Sequence, residues 1–260
     1  MVHVVPDILA RIVAQKREML GAALVQRAEF ERKAADRRDH RDFKSALTAR
    51  PPAVLAEIKR ASPSKGVFTD AFDPASIARA YASGGAAALS VLTDREFFQG
   101  GLSDLEAARA AVPVPILRKD FTIDEIHVME AAAHGADAIL LIAALLDESQ
   151  MRRFREMAAG LGMAALVEVH DQNELAAALG SGAEIVGVNN RNLHTFEVRL
   201  ETSLRLAERI PASVVKVSES GIHSGRDVRK LAAAGYNAFL VGEHLMKSAD
   251  AAAAIGELRS

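Results

Sequence analysis

Several short apolar runs in this 260-residue chain end in charged side chains, and those ends are where chemistry is to be sought. The run Val54–Arg60 carries Glu57 and Lys59 at alternate positions, so in an extended strand both point to one face, with Leu55. Val54, Ala56 and Ile58 then face the other way. A second run ends Leu117-Arg118-Lys119-Asp120-Phe121, a third contains Leu166-Val167-Glu168-Val169-His170, and two more end Asn189-Asn190-Arg191 and Ser218-Glu219-Ser220-Gly221. A charge inside an apolar run is expensive to bury unless it is paired or functional. One such residue reads as a structural ion pair. Several runs ending this way, with carboxylates and amines both represented, read as one shared acid–base site. Arg118 falls on the opposite strand face from Lys119 and reads as structural. Lys216 lies early in its run and reads as a residue of the stability face or a partner for an acid. His170 reads as a loop histidine, because the eight histidines show no HxH or HExxH spacing and no metal site is expected.

The elements that must position these residues repeat along the chain. Eight apolar runs follow one another: Val54–Arg60, Ala87–Thr93, Pro115–Phe121, Ala138–Leu145, Ala164–Val169, Ile185–Arg191, Val214–Ser220 and Ala238–Leu245. Amphipathic stretches with apolar residues at three- and four-residue spacing separate them. Asp73, Ser103, Asp124 and Ser224 are placed to cap the helices, and Gly85, Gly135, Gly162, Gly182 and Gly235 to close them. Strands joined by helices must run parallel, and near-continuous apolar strands are covered on both faces. Eight such units in about 200 residues fit a closed (β/α)8 TIM barrel. An open doubly wound sheet would show a GxGxxG turn after its first strand, where this chain has Arg60-Ala-Ser-Pro-Ser-Lys-Gly66. The expected organisation is an N-terminal helical extension, residues 1–53, packing on a barrel of residues 54–260, one structural domain in all. Ile8 to Leu20 has helical periodicity, and the charge-rich Arg27–Lys44 stretch reads as solvated helix and linker, able also to cover one barrel end and help to form a lid.

Composition narrows the partners. The net charge of −2, from 32 basic and 34 acidic residues, gives no nucleic-acid footprint. The longest apolar run, Ala138 to Leu146, is too short to span a membrane. Met1 to Ala10 lacks the pattern of a targeting segment, and the absence of cysteine suits a cytoplasmic location. In a barrel the loops after strands seven and eight are the usual phosphate site. Gly221 and Gly242-Glu243 fall there, and barrel closure brings them beside Lys59 and Ser62 of the first unit.

These residues together resemble the indole-3-glycerol-phosphate synthase family. The resemblance rests on Glu57-Ile-Lys59-Arg-Ala-Ser62-Pro63-Ser64 followed by Gly66, then Thr93-Asp94 to Phe97-Phe98-Gln-Gly100-Gly101, Leu117-Arg-Lys119-Asp120-Phe121, Leu166-Val-Glu168-Val-His170, Gly187-Val-Asn189-Asn-Arg191 and Ser218-Glu219-Ser220-Gly221-Ile222. Each motif is weak alone, but in this order on these strands they are specific. The resemblance implies a tryptophan-biosynthesis carboxy-lyase acting on a small phosphosugar-anthranilate molecule, with no metal or organic cofactor and no obligate protein partner. It assigns Glu57, Lys59, Lys119, Glu168, Asn189 and Ser220 to catalysis, with Lys119 as general acid and Glu168 as base. Phe98, Phe121, Arg191 and Glu219 are expected to hold the substrate, and Lys59, Ser62, Gly221, Gly242 and Glu243 its phosphate. Ala61 and His244 depart from the family pattern. A Schiff-base aldolase using Lys59 or Lys119 is the competing chemistry, and a non-catalytic barrel subunit the competing class. The sister isomerase of the pathway needs a cysteine, which this chain lacks.

Overall fold

A computed structural model describes residues 7–63, 65–69 and 71–260. Ser64 of the first motif, and the first six residues of the segment read for a targeting signal, lie outside them. Eight parallel strands close a barrel: β1 (Ala53–Ile58), β2 (Ala88–Leu92), β3 (Ile116–Lys119), β4 (Ala138–Ile142), β5 (Ala164–Val169), β6 (Ile185–Asn189), β7 (Val215–Glu219) and β8 (Ala238–Val241). Each strand pairs with its neighbours in sequence, and β8 returns to β1 with Ala53 opposite Ala238. Every barrel strand lies within or one residue beyond its apolar run; β1 begins at Ala53, one residue earlier than expected. Seven of the eight runs overshoot at their C-terminal ends, because the residues there leave the ladder to build the mouth, while Ala164–Val169 matches β5 at both ends.

Two apolar shells follow from the strand alternation. Val54, Ala56 and Ile58 of β1 belong to the large shell between barrel and helices, while Leu55 joins Leu117, Leu140, Leu166, Val217 and Leu240 inside. Helices α4 (Pro74–Ser83), α5 (Leu102–Ala111), α6 (Glu125–Ala133), α7 (Glu148–Gly160), α8 (Gln172–Gly180), α9 (Glu201–Ala207), α10 (Gly225–Ala233), α11 (Glu243–Lys247) and α12 (Ala251–Arg259) surround the barrel. Asp73, Asp124 and Ser224 cap α4, α6 and α10 through their side chains, as expected. Ser103 does not cap α5: Gly101 takes that position, and Ser103 sits inside the first turn. All five closing glycines have left-handed backbones.

The N-terminal extension is more than a solvated linker. It forms α1 (Asp7–Val25), α2 (Arg27–Asp36) and α3 (Phe43–Ala49) before β1 begins. α1 reaches the mouth of the barrel, where Lys16 bridges Asp94 (3.1 Å) and Asp120 (2.6 Å). α2 packs on α6, burying Phe30 and Ala34. α3 closes the opposite end: Phe43 and Leu47 are fully buried in one apolar cluster with Ala53, Leu55, Ala138, Ile185 and Val215. Beside this plug the carboxylate of Asp137 accepts hydrogen bonds from Arg37, Arg109 and the Ile116 and Arg41 backbone. Among the described residues no helix is long and apolar enough to cross a membrane.

Candidate active site

At the C-terminal ends of the strands the inner face changes from apolar to charged. Two residues past the Leu55, Leu117, Leu166 and Val217 level, and so on the same face, β1, β3, β5 and β7 present Glu57, Lys119, Glu168 and Glu219. The register explains the gathering: Glu57 lies opposite Ser90, Glu168 opposite Gly187, and Asn189 opposite Glu219. Glu57, Lys119, Glu168, Asn189 and Glu219 line a cavity of about 410 Å³ whose walls also include Lys59, Ser62, Phe98, Phe121, Arg191, Ser220, Gly221, Gly242 and Glu243. Every site residue expected from the sequence therefore borders one cavity.

The Lys119 ammonium donates to Glu168 Oε2 at 2.6 Å and Glu219 Oε2 at 3.1 Å. Lys59 donates to Glu57 Oε1 at 2.5 Å. Asn189 ties the set together, donating from Nδ2 to Glu168 Oε1 (3.0 Å) while its Oδ1 accepts from Ser220 Oγ (2.9 Å) and the Arg191 backbone (3.0 Å). Ser220 holds a left-handed backbone with φ of 68°, an uncommon state for a non-glycine residue. That turn lets its side chain reach Asn189 and exposes the Gly221 backbone to the cavity.

Charge arithmetic governs the titration of this group. Three buried carboxyls, Glu57, Glu168 and Glu219, face two ammonium groups, so one acid is left short of a partner. Burial pushes Glu219 up to about 7, with Glu168 and Glu57 reinforcing the rise and Lys119 opposing it. Glu219 is also only 1% exposed, and its Oε1 has no hydrogen-bond partner. Burial works in the same direction on Glu168, but Lys119 and His170 outweigh it and hold that carboxyl well below its usual range. Lys119 itself is held above the usual lysine value, since its carboxylate neighbours overcome the burial that disfavours its charge.

Two glycines make room for the acids. A Cβ at Gly187 would collide with the Glu219 carboxylate, and one at Gly242 with the Glu57 carboxylate. Phe98 and Phe121 form an apolar wall, their ring centroids 6.1 Å apart. Behind Phe121, Asp120 accepts from the Phe121 backbone, from Thr93 Oγ1 and from Arg118, and pairs with Lys16. Arg118 continues to Glu130 on α6, in keeping with a structural residue on the outer strand face. Lys216 donates to the Ala207 carbonyl rather than to an acid.

At the opposite end of the cavity Gly221, Gly242 and Glu243 come beside Lys59 and Ser62. The Glu243 carboxylate pairs with Lys247 at 2.6 Å and approaches Lys65 at 3.7 Å, so its backbone amide, and not its side chain, is the group suited to an anion. Sequence reasoning missed parts of this wall. Ile8, Leu9 and Ile12 arrive from α1, and Leu193 and Phe196 from the loop after β6. The α1 stripe was visible as helical periodicity, but its docking face was not. Reading His170 as a loop histidine missed its place among the acids: Nδ1 lies 2.9 Å from Glu174 and Nε2 lies 3.4 Å from Glu168. Among the described residues no group of three or more histidine, aspartate or glutamate side chains is arranged around a metal position.

A sequence model of the indole-3-glycerol phosphate synthase family matches residues 9–258. Proteins named indole-3-glycerol phosphate synthase from Albidiferax ferrireducens and Chromobacterium violaceum are 51% and 52% identical over 258 residues each. Both alignments take in 97% of this chain, and 98% and 97% of the relatives. The namesake from Burkholderia cenocepacia is 53% identical over 247 residues, 93% of this chain and 95% of its own. Among solved structures, the N-acetylmannosamine-6-phosphate 2-epimerase of Clostridium perfringens superposes with a TM-score of 0.62 at 15% identity, covering 80% of this chain and 93% of its own. The thiamine phosphate pyrophosphorylase of Pyrococcus furiosus gives 0.59 at 18%, with the same coverage. At that identity the two structures speak for the barrel alone.

Proposed function

The chain belongs to the indole-3-glycerol phosphate synthase family, and from that premise we propose that its barrel mouth closes the indole ring of 1-(2-carboxyphenylamino)-1-deoxyribulose 5-phosphate. The products are indole-3-glycerol phosphate, carbon dioxide and water. The observation that carries the residue assignment is the Lys119 ammonium, charged and buried between Glu168 and Glu219 at the floor of the cavity. An aromatic wall stands on one side of it and a glycine-lined anion end on the other.

Ring closure requires the aromatic carbon that bears the carboxylate to attack the ketone. Electron density then moves to the ketone oxygen, which needs a proton as the carbon–carbon bond forms. Lys119 supplies that proton, a general-acid role for which a charged, oriented amine is suited. Loss of carbon dioxide returns the electron pair to the ring. The hydroxyl made from the ketone then leaves as water, while a proton is taken from the carbon beside the nitrogen. Glu168 takes that proton, held ready by Asn189 and Lys119. Lys59 donates to the departing hydroxyl and faces the phosphate, with Glu57 orienting its amine. Glu219 is an auxiliary acid, Ser220 fixes Asn189, and Arg191 receives the anthranilate carboxylate as a planar cation. Phe98 and Phe121 form the apolar wall against which the benzene ring rests. The phosphate rests on the Gly221, Gly242 and Glu243 backbone, Ser62 and Lys59.

In this reading the extension and barrel work as one structural domain, because α1 supplies part of the cavity wall. A cytoplasmic location and independence of any obligate protein partner belong to the same reading. The test is incubation of the purified protein with the carboxyphenylamino-deoxyribulose phosphate while indole fluorescence is followed. Turnover is expected, falling by about 10²-fold or more in Lys119→Ala and Glu168→Gln. Borohydride trapping in the presence of substrate is expected to leave no lysine adduct. Absence of indole formation by the intact protein would overturn the reading, and a trapped adduct would favour an aldolase.

A further inference from the structure

His170 sits where β5 hands over to α8, and its ring spans two buried carboxylates. Nδ1 lies 2.9 Å from Glu174 Oε2, the same oxygen that accepts from the His170 backbone amide at 2.7 Å. On the far side Nε2 is buried, has no hydrogen-bond partner, and lies 3.4 Å from Glu168 Oε1. Both ring nitrogens thus face oxygens that only accept. An ionised Glu174 requires Nδ1 to carry a proton. A bare Nε2 would then set its lone pair against the Glu168 carboxylate, whereas a protonated Nε2 sets a positive N–H there. The geometry selects the imidazolium.

Resting on the function proposed above, we infer that His170 is a positioning residue for Glu168: its imidazolium, wedged between Glu168 and Glu174, keeps the Glu168 carboxylate ionised and aligned for proton abstraction. Lys119 grips one oxygen of Glu168 and Asn189 the other, so His170 is a second cation on the same carboxylate. The second cation has a use that the first cannot serve. Once Lys119 has given its proton to the substrate it no longer balances Glu168, and His170 keeps that carboxylate charged through the next step. The balance of effects on the ring agrees: burial disfavours its charge, but the Glu168 and Glu174 carboxylates on its two sides prevail and raise it to about 10.

The groups facing this pair come from every side. Lys119 on β3, Asn189 on β6 and Glu219 on β7 surround Glu168, with Glu57 and Lys59 of the first βα unit beyond. Asp171 and Glu174 approach His170 from α8, and Arg191, His194, Glu197, Arg199 and Arg205 line the crevice on its outer side. Removing the imidazolium removes a positive charge from Glu168, so its carboxyl rises. Because Glu168 must be ionised to act as a base, the acid limb of the kcat profile moves to higher pH.

The experiment compares wild type, His170→Gln and Glu174→Gln by steady-state kinetics on the same substrate between pH 5 and 9. His170→Gln keeps a side chain that can hydrogen bond but carries no charge. It is expected to lower kcat about tenfold near pH 6, to leave KM within about twofold, and to move the acid limb upward by roughly one pH unit. Glu174→Gln, which lies outside the cavity wall, is expected to move the limb the same way by less. A readout independent of turnover is the His170 Cε1–H resonance, assigned by its loss in His170→Gln and expected not to titrate between pH 6 and 8. An acid limb in His170→Gln that superposes on wild type, or a resonance that titrates in that window, would overturn the assignment while leaving the family reaction standing. Failure of wild type to form indole would overturn both.

Discussion

Lys119 serves two acids at once, and the division between them sets the pH behaviour of the site. Glu168 takes the shorter contact and stays ionised; Glu219, deeper and half-paired, rises to about 7. An auxiliary acid must hold its proton, so the contribution of Glu219 to turnover is present below that value and fades above it. Stability follows the same sign. A carboxyl raised by folding favours the native state below its unfolded value, and that support is lost as pH rises through about 7. Glu219→Gln is expected to flatten both the alkaline limb of kcat and the decline of thermal midpoint between about pH 5 and 8. Curves for variant and wild type that run parallel over that window would place the charge on another carboxyl. The acids and lysines at this scale were legible because a charge inside an apolar run has few explanations. His170 was not, since at a strand end it reads like any loop residue; Glu174, four positions on, was the available sign. Lys16 was not legible either, because its partners Asp94 and Asp120 lie far along the chain.

At the scale of elements, position is set as much by what is absent as by what is present. Gly242 follows β8 immediately, and the space its missing side chain leaves is filled by Glu57 from β1. Gly242→Ala is expected to displace that carboxylate and with it the Lys59 amine, lowering kcat/KM by about tenfold or more while the thermal midpoint moves only a few degrees. Full activity in that variant would mean that Glu57 has room to shift without consequence. The strands themselves were readable because both faces are covered and their residues are apolar throughout. Their C-terminal limits were not, since apolar character continues into the turns, as in Ala143-Ala144-Leu145 after β4. The short antiparallel ladder of Ala61–Ser62 with Gly66–Val67 left no periodic signal at all, being two residues on each side. The cap at Gly101 rather than Ser103 shows the same limit: a serine near a helix start is a sign of a cap, but the backbone path decides which residue occupies it.

Over the whole molecule the first fifty residues touch both ends of the barrel. α1 borders the mouth through Ile8, Leu9 and Ile12, while α3 seals the opposite end with Phe43 and Leu47. These contacts divide the labour between activity and stability. Leu47→Ala leaves a void in the inner shell and is expected to lower unfolding free energy by about 2–5 kcal/mol in denaturant titration. Turnover at temperatures well below the transition is expected to stay near wild type, because the plug lies at the end away from Lys119. A matching loss of kcat in the folded variant would show that the two ends are coupled. The plug also carries a consequence for synthesis. A ribosome releases α3 early, yet the apolar cluster that buries it includes Ala238 of β8, which it makes nearly last. At about 5–20 residues per second, an interval on the order of ten seconds or more passes with that apolar helix face waiting for the strands that will cover it. The nascent chain is therefore most exposed to self-association and to chaperone capture through its own beginning, and release of the C-terminal strand is the event that ends the exposure.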